Sequence, residues 1–161
     1  MNGGCAQAGV GVGIDVGSIT VDEPLVAGRM YLLPPLEVIN TGDEASEFEI
    51  GVSYHEDQQE LKPEKGWFGF FPSRFKLEPG LSQEVAIQLL LPPQVEPGDY
   101  FAFLEAFPVA KVGSDTSIGV AVAAKTYFTV MPTTTMQTVI YRAKNFLVGN
   151  ATTTFSILAI V

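Results

Sequence analysis

At 161 residues the chain is long enough for one domain with a real core plus a tail, and too short for a second full domain. Eighteen acidic residues against nine basic ones give a formal charge of −9. That excludes a nucleic-acid binder, whose affinity rests on basic groups neutralising phosphates. The single cysteine, Cys5, excludes an internal disulfide but not an extracytoplasmic home, because a domain of this size can be held by its core alone.

Residues 1–9 read as a leader or the remnant of a processed signal. Ala6-Gln7-Ala8 fits an A-x-A cleavage site, with the charged and apolar regions of a signal peptide expected upstream of Met1. Gly3-Gly4-Cys5 has part of a lipobox, although Asn2 stands where a leucine is expected. A sandwich is expected over residues 10–131. It opens with Val10 to Asp15, where glycine alternates with valine or isoleucine, a composition suited to close approach of another backbone. This is an edge strand of its own domain or an arm that adds to a neighbouring subunit's sheet.

Ile19 to Leu25 and Met30 to Leu33 are predicted as short strands, broken at Pro24 and at Ala27-Gly28. Leu36 and Val38 lead into a turn at Asn40-Thr41-Gly42-Asp43. Phe48, Ile50, Val52 and Tyr54 then alternate with Glu47, Glu49, Gly51 and Ser53, giving a strand with one core face and one wet face. His55 to Lys65 is the one highly charged run. Glu56, Asp57 and Glu60 are its cation candidates, but hard cations need several convergent oxygens and no EF-hand spacing is present, so a solvated connection is expected. No metal or cofactor is assigned. The aromatic run Trp67 to Pro72 is expected to plug one end of the sandwich.

Pro72 to Phe107 organises the rest, as a predicted strand pair closed by a Pro-Gly corner. Val85, Ile87, Leu89 and Leu91 alternate with Glu84, Ala86, Gln88 and Leu90, and Pro92-Pro93 stops the strand because proline cannot donate to a ladder. Glu96-Pro97-Gly98-Asp99 is turn chemistry. Tyr100, directly after it, matches the tyrosine corner of immunoglobulin-like sandwiches, whose hydroxyl ties back to the preceding connection. Pro97, Gly98, Asp99 and Tyr100 are therefore the expected structural corner.

Beyond it, Tyr100, Ala102, Leu104 and Ala106 share one face, and Phe101, Phe103, Glu105 and Phe107 the other. A last strand is predicted over Ile118 to Val130 after a turn at Lys111 to Thr116, with Ala124, Thr126, Phe128 and Val130 opposite Ala123, Lys125, Tyr127 and Thr129. Both strands offer apolar residues on both faces, more than a two-layer sandwich requires. Phe101, Phe103, Phe107 and Tyr127 are thus the candidate interface, an outward aromatic stripe of the kind that marks a contact surface.

Residues 132–149 read as a linker, Pro132-Thr133-Thr134-Thr135, and an amphipathic helix. Met136, Val139, Ile140, Ala143, Phe146 and Leu147 fall at helical spacing, with Gln137, Arg142, Lys144 and Asn145 opposite. Residues 150–161 are shorter than the ~20 apolar residues of a bilayer span and read as the start of a transmembrane segment. The competing reading is a C-terminal strand or a helix docked on the aromatic stripe. Asn150-Ala151-Thr152 is a glycosylation sequon.

No catalytic constellation emerges. His55 is the only histidine, no nucleophile or phosphate-loop motif occurs, and Gly9-Val10-Gly11-Val12-Gly13 continues as strand where a dinucleotide fingerprint needs a helix.

Asn40-Thr41-Gly42 after a strand, Trp67, Pro72-x-x-Phe75-x-Leu77-x-Pro79-Gly80, Ser82 to Pro92 and Pro97-Gly98-Asp99-Tyr100 together resemble the Ig-like domains of prokaryotic surface and secreted proteins. Among these are the sandwich beside α-galactosidase catalytic domains and, more distantly, domains similar to periplasmic pilus chaperones. The resemblance covers residues 18 to 131 and implies an all-β, immunoglobulin-like antiparallel sandwich that is extracytoplasmic and non-catalytic. The basic cleft residues of the chaperone group have no match here, and no binding residue is carried over. The expected function is a membrane-anchored module for protein contacts or cell-surface structure. The alternatives are a carbohydrate-binding module with Trp67, Phe70 or Tyr127 as stacking platforms, and a filament subunit that self-associates by strand donation.

Overall fold

The computed structural model describes residues 9–109 and 120–132. The leader up to residue 8, the turn expected at Lys111 to Thr116, the C-terminal helix, the membrane segment and the sequon lie outside the described residues. The described residues form ten strands: β1 Val12–Ile14, β2 Ser18–Thr20, β3 Leu25–Val26, β4 Met30–Asn40, β5 Ser46–Ser53, β6 Phe68–Phe71, β7 Arg74–Leu77, β8 Ser82–Leu90, β9 Gly98–Pro108 and β10 Val122–Met131. They build two facing sheets, one ordered β1-β4-β8-β6 and the other β2-β10-β9-β5-β7 with β3 also on β10. This is the expected all-β sandwich. Among the described residues no helix is long and apolar enough to cross a membrane.

The alternating strands bury the faces their patterns predict. Val85, Ile87 and Leu89 of the first sheet, with Leu91 just beyond β8, meet Phe48, Ile50, Val52, Tyr100, Leu104, Ala124, Phe128 and Val130 of the second in one core. An aromatic group fills part of it, with Tyr100 stacked on Phe128 at 5.1 Å and Trp67 tilted against Tyr100 at 5.5 Å between ring centroids. Such pairs add about 0.5–1.5 kcal/mol each beyond their buried area.

Several expectations are corrected. β8 and β9 do not pair with each other. They lie in opposite sheets, and residues 91–97 carry the chain across the sandwich with Leu91 and Val95 buried on the way. The turn expected at Glu96-Pro97-Gly98-Asp99 is displaced, because β9 already begins at Gly98. The sandwich is not wholly antiparallel either, since β2 and β3 run parallel to β10.

Pro34-Pro35 does not end a strand. β4 runs through them with a register shift between Leu33 and Leu36, so both leucines point inward although three positions apart. Trp67 to Phe71 plugs no end: β6 is the edge strand of the four-stranded sheet, paired with β8, and the Phe71–Pro72 peptide that follows it is cis.

The N-terminal glycine strand pairs within its own domain. β1 is antiparallel to β4, and upstream Gly9 and Gly11 accept hydrogen bonds from the backbone N–H groups of Asp43 and Thr41 at 3.1 and 3.2 Å. The glycines are needed there, because a Cβ on Gly11 would lie 2.6 Å from Thr41 Oγ1 and 2.8 Å from the Gly42 nitrogen.

Candidate functional site

The corner comes first, because it fixes the strand that carries the aromatic face. Tyr100 Oη donates to the Glu96 carbonyl oxygen at 2.6 Å, which ties the start of β9 to the crossing segment. Burial, reinforced by the Glu96 carboxylate, pushes the Tyr100 phenol up to about 12, so its proton stays available for that bond. Asp99 accepts from Thr129 Oγ1 at 2.7 Å across to β10. Gly98 takes φ +152, and a Cβ there would stand 3.0 Å from Leu61 Cδ1. Pro97 is half-buried beside it.

Leu61 is close because the charged run does not simply loop into solvent. Its amide donates to the Asp99 carbonyl at 2.9 Å, and its carbonyl accepts from the Phe101 amide at 3.1 Å, so it forms a one-residue parallel bridge on β9 where β5 has ended. Gln58 Nε2 donates to the Phe101 carbonyl at 3.0 Å, and the Tyr54 hydroxyl donates to the Pro63 carbonyl. Glu56 and Asp57 remain exposed. Among the described residues no group of three His, Cys, Asp or Glu is placed to hold a metal ion.

On the outer face of the six-stranded sheet Phe101 and Tyr127 are register partners, and Phe103 pairs with Lys125. The Phe101 ring lies 4.8 Å from both Phe103 and Tyr127. Phe101 is only 6% exposed and is the floor of this cluster, whereas Phe103 and Tyr127 are half-buried. Phe107 is not brought to it. Glu105 intervenes on β9, accepting from the Ser53 hydroxyl, and the Phe107 ring covers Gly51, whose missing side chain makes room. The stripe is therefore a three-ring cluster plus a separate phenylalanine.

Beside Tyr127 opens a cleft of about 290 Å³ lined by Thr20, Val21, Glu60, Asp99, Tyr100, Tyr127, Phe128 and Thr129. Its lining brings two carboxylates and two threonine hydroxyls together with the tyrosines Tyr100 and Tyr127. Trp67 and Phe70 make no sugar platform of their own, because both pack against the core.

Sequence reasoning missed a second outward surface. On the four-stranded sheet Met30 stands opposite Leu90, and Leu32 opposite Gln88. Met30, Leu32, Leu90 and the neighbouring Phe71 are 58%, 71%, 57% and 57% exposed. The signal was present: in an alternating strand, Leu90 beside Leu91 obliges one leucine to face out.

Neither a scan of family models nor a search of curated proteins finds a match. Solved structures do. The PapD-like domain 7 of human CEP192 superposes with a TM-score of 0.55 at 18% identity, covering 76% of this chain and 87% of that domain. The Escherichia coli chaperone DraB gives 0.52 at 16%, over 75% of this chain and 56% of DraB. The Salmonella enterica SafA pilin in complex with the SafB chaperone gives 0.53 at 15%, over 80% of this chain and 59% of the matched one. The chain thus spans less than two thirds of the chaperone structures it resembles, and the likeness shows its fold, a PapD-like, immunoglobulin-like sandwich.

Proposed function

We propose that this chain is a non-catalytic immunoglobulin-like module that binds another protein outside the cytoplasm, held at a membrane through the residues after Gly149. The observation that carries the reading is the cluster Phe101-Phe103-Tyr127, with rings 4.8 Å apart on an outward sheet face and a polar rim of Thr20, Glu60, Asp99 and Thr129 beside it. An aromatic centre inside a polar rim is the anatomy of a protein contact, where a few aromatic anchors supply most of the energy. The fold is compatible with such use, since one structure it resembles is a pilin–chaperone complex.

A photo-crosslinking residue at Phe103 in the full-length protein, in its own cells, tests the contact. Discrete adducts at position 103 that vanish with Tyr127→Asp, and that are absent from the same probe at exposed Glu84, support it. Equal labelling at both positions sinks it. Fractionation with protease treatment of intact cells tests the compartment, and a domain that stays protected in a soluble cytoplasmic fraction overturns that part.

The cleft favours one alternative, a carbohydrate ligand stacked on Tyr127 with hydroxyls bonded by Glu60 and Asp99. Saccharide titration followed by Tyr127 chemical shifts separates it from protein binding, which leaves the cleft unsaturated by sugars.

A further inference from the structure

A strand at the edge of a sheet offers unpaired backbone groups to any strand that comes alongside, and stable domains guard such edges with short strands, charges or prolines. One side of this sandwich is guarded in that way. Its edge strands β1, β2 and β3 have only two or three residues each, and Asp15, Asp22, Glu23 and Pro24 separate them. On the other side the edges are β6 and β7. β7 carries the exposed Arg74 and Lys76, paired with Glu47 and Glu78 at 2.8 and 3.5 Å. β6, Phe68-Gly69-Phe70-Phe71, carries neither charge nor proline.

The free edge of β6 is open in its backbone and on both of its faces. The Phe68 amide donates to the Lys65 carbonyl, but among the described residues Gly69, Phe70 and Phe71 have no backbone hydrogen bond beyond the ladder to β8. Phe70 is half-buried on the inner face, stacked on Phe68 at 6.3 Å between ring centroids. Phe71 is 57% exposed on the outer face, where its ring lies over Gly69. A body resting on one face of the sheet reaches one of these rings. A strand laid along β6 meets both and takes the backbone groups as well.

We propose that this strand is β6 of a second copy of the chain, paired antiparallel about a two-fold axis through Phe70, so that two four-stranded sheets become one continuous sheet. An antiparallel edge is complementary to itself under such an axis, and side chains directly opposite each other then share a face. Centring the pair on Phe70 uses the three residues whose backbone is open. It sets Phe70 against its copy toward the inner faces, and Phe71 against Gly69 of the second copy on the outer one. The next register that keeps the faces matched sets glycine against glycine and draws on Phe68, whose amide Lys65 already holds. Charge permits the approach. The chain carries −9 overall, yet Lys65 to Leu77 contains no acidic residue, and Arg74 and Lys76 are neutralised by their own partners.

Sedimentation of the full-length chain at rising concentration tests this. The expected result is a monomer–dimer equilibrium that Phe71→Lys weakens at least tenfold, by bringing two like charges together across the axis, and that Leu32→Lys on the same outer face leaves unchanged. Both positions are more than half exposed, so neither substitution threatens the fold. A second measurement locates the contact. In a Cys5→Ser background, pyrene on Phe71→Cys gives excimer emission in the dimer, because the two labels are diagonal neighbours ~7–8 Å apart. Pyrene on Leu32→Cys gives none, since five strand spacings of ~4.8 Å separate the two copies of β4. A chain that stays monomeric, one that grows past two copies, or a dimer indifferent to Phe71→Lys overturns the proposal. Weakening by Leu32→Lys, or an excimer at Leu32, assigns the contact to packing of the two outer faces and also overturns it. None of these results depends on whether the aromatic cluster binds a protein.

Discussion

The Tyr100 hydroxyl and the Glu96 carbonyl oxygen, 2.6 Å apart, join the first inward side chain of β9 to the segment that brings the chain across from the other sheet. The ring is 3% exposed and stacked on Phe128. Tyr100→Phe keeps the packing and deletes the bond, leaving the Glu96 carbonyl one partner short. The expected loss is about 1–2 kcal/mol, read as a lower urea midpoint with unchanged m.

The same phenol sets an alkaline limit. Its folded value is raised from the ordinary 10.0 to about 12, and Tyr54 is raised as well, by burial and then by Glu64. The folded state therefore holds these protons more tightly than the unfolded chain. Their contribution is fully present below pH about 10 and is lost as pH rises toward 12. Urea midpoints should fall across that window, and the Tyr100→Phe variant should show a shallower fall.

Asn40 is the polar residue on which one end of the sandwich depends. It is fully buried, and its amide nitrogen donates to the carbonyls of Glu44 and Leu77 at 2.9 and 3.0 Å, while its side-chain oxygen accepts from the Gly42 amide at 2.9 Å. Asn40→Ala removes all three bonds and leaves the Leu77 and Glu44 carbonyls each one donor short. A loss of about 2–4 kcal/mol is expected. Asn40→Asp should be no better, because a carboxylate cannot donate, whereas an exposed-site control such as Gln94→Ala should change the midpoint little.

The strands with one wet face, β5, β8 and β9, were legible because period-2 alternation reports burial directly. Which sheet a strand joins was not, and this is why β8 and β9 were mistaken for a pair. Alternation says that Leu89 and Leu104 point into a core but not from which side. The continuity of β4 through Pro34-Pro35 was not legible for a related reason: prolines remove ladder donors, and only the register shows that an irregularity between Leu33 and Leu36 absorbs them. At the candidate site the alternation put Phe101, Phe103 and Tyr127 on one face. It could not show that Leu61 returns alongside β9, because a one-residue bridge in a charged connection leaves no periodic trace. Attention to rings also hid Met30, Leu32 and Leu90, whose exposure follows from the same alternation.

Thr126 is the converse of Asn40. It lies fully buried on the inner face of β10, and its Oγ1 has no hydrogen-bond partner among the described residues. A buried hydroxyl without a partner carries its desolvation cost uncompensated. Thr126→Val replaces it with a methyl of nearly the same shape and should raise stability by about 1 kcal/mol. Thr126→Ser, which keeps the hydroxyl and leaves a methyl-sized gap, should lower it. If the valine variant melts below the parent, the hydroxyl has a partner and this account is wrong.

Gly42 holds the N-terminal strand without being part of it. A Cβ at this position would stand 2.4 Å from the Gly9 carbonyl oxygen and 2.6 Å from the Gly11 nitrogen, both backbone atoms that no side-chain rotation can move away. Gly42→Ala must therefore push residues 9–11 off the Thr41–Asp43 segment, breaking the bonds from Thr41 and Asp43 to Gly11 and Gly9. Val12, 9% exposed, is the first core residue to be uncovered. The rest of the sandwich keeps its own ladders, since β4 remains paired with β8 along most of its length. The expected outcome is local release: faster amide exchange and earlier protease cleavage across Gly9 to Asp15, with protection in β8 and β9 retained. Uniform loss of protection would show instead that β1 is an obligatory part of the cooperative core.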